Sequence, residues 1–150
     1  MIAKGLAAAV CAVALVAATA VPAQAARRPA KVRIYKVHYD SPGTDRGGNH
    51  SLNGEWVALK NYGGRSANLY HYTVRDRSHH VYRFGHVWLK PGHRIYVHTG
   101  RGHNGKTHVY QGRGWYVWNN TKDAATLRTR HGTKTDVCAW KHRGRGWRYC

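Results

Sequence analysis

The chain has 150 residues, with 25 Lys and Arg against 6 Asp and Glu, 12 His and a formal net charge of +19. That length suits one domain of ordinary size with a core of its own. A field of this sign draws polyanions such as nucleic acid, anionic cell-wall polymers, acidic polysaccharide or lipid head groups, while saying nothing about the fold.

Lys4 precedes an apolar run over residues 5–21, Pro22 ends the run, and Ala23, Gln24 and Ala25 form a small-x-small cleavage pattern. Residues 1–25 are therefore expected to be a secretory signal peptide, giving a secreted, extracellular protein. No later segment approaches the ~18 apolar residues of a membrane helix. Cys11 leaves with the leader, so Cys138 and Cys150 remain, and an even pair in an oxidising compartment is expected to form one disulfide. Closing so short a loop is worth ~2–3 kcal/mol by the chain-entropy argument.

Residues 26–31 are expected to be a short flexible lead. "VRIYKVHY" (32–39) alternates as a half-buried strand does, and "EWVALKN" follows the Gly-rich loop "DSPGTDRGGNHSLNG". "LYHYTVRD", the turn "DRSHH" and "VYRF" form a predicted hairpin with a polar tip. "LKPGHR" places Pro-Gly in a turn before the strand "IYVHT" (95–99). "GRGHNGKTHVYQGRG" reads as a long loop, and "WYVWNN" as a strand entering an Asn-Asn turn. "ATLRTR", the His131-Gly132 turn and "KTDVCAW" form a final hairpin. Residues 141–150 are a basic, Gly-rich tail tied back by the disulfide. No helical apolar spacing persists, and turn signals recur at short intervals, so the pattern is that of an all-β sandwich or barrel.

Four stretches in order, "LNGEWVALKNYGG", "NLYHYTVRDRSHHVYRF", "LKPGHRIYVHTG" and "YVWNNTKDAATLRTRHG", resemble the lamin tail domain family over residues 32–140. The resemblance implies an immunoglobulin-like β-sandwich acting as a binding or structural module, with no shared catalytic residues and no cofactor. It makes Glu55, Trp56, Asn61, Leu69, Asp76, Phe84, Pro91, Gly92, Trp118, Asn119, Asn120, Asp123 and Leu127 fold-specifying. His71 and Tyr72 stand where that family commonly has Gly and Trp, a departure expected to be a modest packing change.

Glu55 heads the most strand-like segment. With Asp40, Asp45, Asn49 and Asn53 it offers oxygen donors of the kind Ca²⁺ takes, but the spacing is not that of an EF-hand, and Arg46 and His50 intervene. The reading adopted is scaffold, a strand-opening acceptor, with Asp40, Asp45 and Glu55 as the calcium candidates. The histidines sit singly, without the converging spacing that zinc or copper requires. There is no Gly-x-Ser-x-Gly elbow and no free thiol, so no enzyme is expected. Arg75, Arg77 and Arg83 on one hairpin, Arg101, Lys106 and Arg113 along the Gly-rich loop, and Lys141, Arg143, Arg145 and Arg148 in the tail are the polyanion-binding candidates. Trp56, Trp88, Trp115 and Trp118 are expected in the core, leaving Trp147 and Trp140 for a ligand. The competing expectation is an envelope or matrix scaffold that binds protein partners through a sheet edge or face.

Overall fold

The computed structural model describes residues 28–150; the expected signal peptide and Cys11 lie outside the described residues. Eleven strands and one helical turn follow in chain order: β1 (Val32–His38), α1 (Asn49–Leu52), β2 (Trp56–Asn61), β3 (Ala67–Asn68), β4 (Thr73–Arg75), β5 (Val81–Arg83), β6 (Trp88–Leu89), β7 (Arg94–His98), β8 (His108–Tyr110), β9 (Asp123–Arg128), β10 (Lys134–Trp140) and β11 (Trp147–Tyr149). They build a five-stranded sheet, β11-β1-β2-β7-β8, over a four-stranded sheet, β10-β9-β4-β5, with β3 and β6 as a short ribbon. This is the expected immunoglobulin-like sandwich.

Alternation decides which face each residue takes. Val37, Val57 and Val97 align across β1, β2 and β7 in register and point inward, as do Ile34, Leu59 and Ile95. From the facing sheet, Val74, Ala125, Leu127, Cys138 and Trp140 close the core with Phe84, Leu69 and Trp118. Each fully buried Val, Leu or Ile contributes about 1.5–3 kcal/mol relative to exposure. A bulge between Ile34 and Lys36 inserts one residue into β1 against β2. It turns Tyr35 and Lys36 toward the same outer face.

Buried polar side chains act as joints between elements. Asn61, fully buried, accepts from the Lys31 N–H at 3.1 Å and the Gly63 N–H at 2.9 Å, and donates to the Arg65 and Leu89 carbonyls. Gly63 passes so close to the incoming chain that a Cβ there would stand 2.1 Å from the Pro29 carbonyl oxygen. Residues 28–31, expected as a flexible lead, are therefore hydrogen-bonded alongside this turn, with the Gly64 N–H donating to the Arg28 carbonyl at 3.0 Å.

Other expectations change. Residues 115–118 are not a strand, and the Gly-rich loop after β7 contains β8, paired in parallel with β7. The tail is held by more than its disulfide, because β11 pairs with β1 and the Cys150 N–H donates to the Tyr35 carbonyl at 3.1 Å. Trp118 and Trp140 are buried, Trp56 and Trp147 are half-buried, and Trp88 and Trp115 are more than 60% exposed. Trp140 stacks on Tyr39 at 4.5 Å and donates its indole N–H to the Asn119 carbonyl, which commits it to the fold. His71 departs from the expected packing change: its φ is +62°, in the left-handed region that glycine adopts without steric cost. The glycine common at that place in the resembled family suits this backbone.

Candidate polyanion-binding surface

The surface charge is set by where the acids go. Glu55 is fully buried between the start of β2 and residues 115–118. Its Oε2 accepts from the Thr99 hydroxyl at 2.9 Å and the Val117 N–H at 3.0 Å, while Oε1 has no partner. Burial pushes its carboxyl from the ordinary 4.5 up to about 8, against the pull of the Val117 N–H, the Thr99 hydroxyl and the nearby Trp118 N–H. Asp123 accepts from the N–H groups of Arg77, Ala124 and Asn119. Asp76 accepts from the His80 N–H at 2.7 Å and pairs with its ring at 2.6 Å. Asp136 accepts from the Ile34 N–H at 2.8 Å, linking the two sheets, and faces Arg33 at 3.5 Å. Asp40 accepts from Asn120 and pairs with Arg143 at 2.5 Å. Asp45 alone is exposed, with Asn120 at 3.4 Å.

The carboxylates are thus acceptors for backbone and side-chain groups that join elements. Among the lysines and arginines of the described residues, Arg33 and Arg143 are the two within ion-pair distance of a carboxylate. The rest meet no compensating charge at close range.

The outer face of the four-stranded sheet gathers them. Register places Thr73 between Arg83 and Arg128, Arg75 between Val81 and Thr126, and Lys134 beside Arg128. Arg75, Arg77, Arg128 and Lys134 line one shallow concavity with Ala124, Thr126 and Val137. Asp76 is the acid of this lining, and its side chain is fully buried under His80. Two of the sequence candidates, Arg75 and Arg77, therefore line this concavity, and Arg83 lies on the same face across Thr73 from Arg128. Arg128 and Lys134 join them unforeseen; the period-two spacing in "ATLRTR" and "KTDVCAW" carried that signal.

The remaining candidates are dispersed. Arg113 reaches the Val81 carbonyl at the edge of this sheet at 3.3 Å. Arg101 lies at the far end of the other sheet, its backbone tied to Asn49 and Asn53, and Lys106 lines a separate cleft with Trp88. Arg143 is held by Asp40, which raises its pKa, and Arg148 donates to the Ala139 carbonyl. Lys141 and Arg145 are exposed in the tail. Asp40 and Asp45 meet through Asn120, but Glu55 is enclosed, and among the described residues no three His, Cys, Asp or Glu side chains are grouped to hold a metal ion. No helix among them is long and apolar enough to cross a membrane.

A model of the family described as Lamin Tail Domain matches residues 25–142. No curated protein matches the chain.

Proposed function

Because the chain belongs to the lamin tail domain family, a non-enzymatic immunoglobulin-like family, we propose that it is a secreted binding module for polyanions. The observation that carries this reading is the inward commitment of the acids, which leaves the cations of the four-stranded sheet uncompensated. Arginine forks match the paired oxygens of phosphate and sulfate, and a sheet face of fixed strands sets the spacing of the backbones that carry them. Such binding selects charge density over sequence and weakens as salt screens it. The predicted leader and the Cys138–Cys150 disulfide support an oxidising, extracellular setting.

The test is a titration of the protein cleaved after Ala25 against double-stranded DNA and a sulfated polysaccharide at several salt concentrations. Both affinities should fall linearly on logarithmic axes. Replacing Arg75, Arg83, Arg128 and Lys134 by Gln should reduce the DNA slope by roughly 3–4, about one per lost contact. No binding at low salt overturns the reading.

A second reading, a scaffold for protein partners, is favoured by the cleft of about 610 Å³ beside β5, β6 and β8. Trp88, 63% exposed, opens into it with Tyr82 and Val87. Retention of a protein ligand, lost on Trp88→Ala, is the outcome that would support it.

A further inference from the structure

The outer face of the five-stranded sheet differs in kind from the basic concavity. Its rows, read across the strands, are Tyr149, Lys36, Ala58, Tyr96 and His108, and then Trp147, His38, Trp56, His98 and Tyr110. A third row brings Lys60 beside Arg94, with Tyr35 turned outward by the β1 bulge. The strands of this face carry no acid.

Rings and cations interleave there. The Lys36 ammonium lies 3.9 Å from the Trp147 ring centre and within 6 Å of Tyr149 and Trp56. The Arg94 guanidinium lies 4.2 Å from the Tyr35 ring, and Lys60 sits between Tyr35 and Tyr62. A cation over an aromatic face is held by the ring quadrupole and still presents its outer side to solvent. His38 stacks on Trp56, and Tyr96 on His108. The His98 Nδ1–H donates to the Asn53 carbonyl, so its Nε2 accepts from the His108 Nδ1–H at 2.8 Å.

We propose that this face binds an acidic polysaccharide, its carboxylate or sulfate groups meeting Lys36, Lys60 and Arg94 and its sugar hydroxyls meeting the Tyr and His groups between them. Charge complementarity requires an anionic occupant, and the ring geometry selects among polyanions. Single-stranded nucleic acid gains affinity by stacking bases on open aromatic faces. Here Lys36 and Arg94 cover faces of Trp147 and Tyr35, and neighbouring rings meet edge to face: Trp56 with Tyr96 at 78°, Tyr35 with Tyr149 at 68° and Trp147 with Tyr149 at 79°. The near-parallel rings, Tyr96 with His108, His98 with His108 and His98 with Tyr110 at 13°, 21° and 20°, stack on one another, so part of each face is already taken, while fixed cations and scattered hydrogen-bonding groups are abundant. The proposal rests on the polyanion reading but assigns it a second face and a ligand class.

The probes are a polyuronate oligosaccharide, a neutral glucan of equal length and a single-stranded oligothymidylate, each followed by the tryptophan indole N–H signals in NMR spectra. The polyuronate should shift Trp56 and Trp147 and leave Trp88 and Trp115 unmoved. Lys36→Gln with Arg94→Gln should weaken it at least tenfold, while the Gln variants of the four-stranded face should keep most of its affinity. Thermal unfolding of each variant separates lost binding from lost fold. If the wild type binds no polyanion, both this proposal and the reading beneath it fail. If polyuronate binds but the Lys36 and Arg94 variants bind equally well, the assignment of this face alone is overturned. Equal shifts of Trp56 and Trp147 by the neutral glucan or the oligothymidylate overturn the ligand class.

Discussion

Glu55 shows how one side chain joins the fold and answers to pH. Its carboxyl closes residues 115–118 onto the end of β7 and is held protonated to about 8 by burial. A raised pKa means that the folded state binds the proton more tightly than the unfolded chain. The stability this supplies is fully present below 4.5 and is lost as pH rises through about 8. Glu55→Gln keeps an oxygen acceptor for Val117 and Thr99 and removes the titration. Denaturant unfolding from pH 5 to 8.5 should show the wild type losing stability with a slope of up to ~1.4 kcal/mol per pH unit that the variant lacks. An identical slope in both proteins would refute the assignment. The scaffold role of Glu55 was readable from one acid at the head of a strand in a basic chain. Its partners were not, because they arrive from positions 99 and 117, far along the sequence.

At the level of elements, the tail makes the sharpest case. Cys138 and Cys150 lie 12 residues apart, and the bond tethers β11 near β10 while β11 hydrogen-bonds to β1. The chain returns at Gly146, whose carbonyl accepts from the N–H groups of Tyr39 and Asp40. Replacing both cysteines by Ser should cost ~2–3 kcal/mol in global unfolding, because the unfolded chain regains its freedom. Hydrogen exchange should still find the Cys150 amide slower than a free peptide, since its acceptor on Tyr35 does not depend on sulfur. Full exposure of that amide would show the tail to be held by the disulfide alone. The same contrast explains what could be read in advance. β1, β2, β7, the β4–β5 hairpin and the β9–β10 hairpin declare themselves by alternation and turn residues. β8 and β11, three residues each, exist because a neighbouring strand offers its edge, and nothing local marks them. Residues 115–118 are strand-like in composition, yet the Val117 amide goes to a side chain rather than a ladder.

For the whole molecule, charge and fold are separable. A net charge of +19 repels itself in the compact state, so added salt should raise the melting temperature by screening, and a bound polyanion should raise it further by linkage. A scanning measurement from 20 to 300 mM NaCl checks the first effect, and a melting temperature falling with salt would refute it. The basic character was legible from composition, but the gathering of cations on one sheet and of rings and cations on the other was not, since each face draws on strands far apart in sequence. The placement of the acids has a further consequence for descent. Five carboxylates each serve a named backbone amide or side chain, whereas among the bases of the described residues only Arg33 and Arg143 meet a carboxylate. Mutation therefore meets two regimes: a lost internal acid unravels a joint, while a lost base of the open sheet face, such as Lys134, changes the surface field more than the architecture. The sign of the surface can thus be rewritten with the architecture left standing.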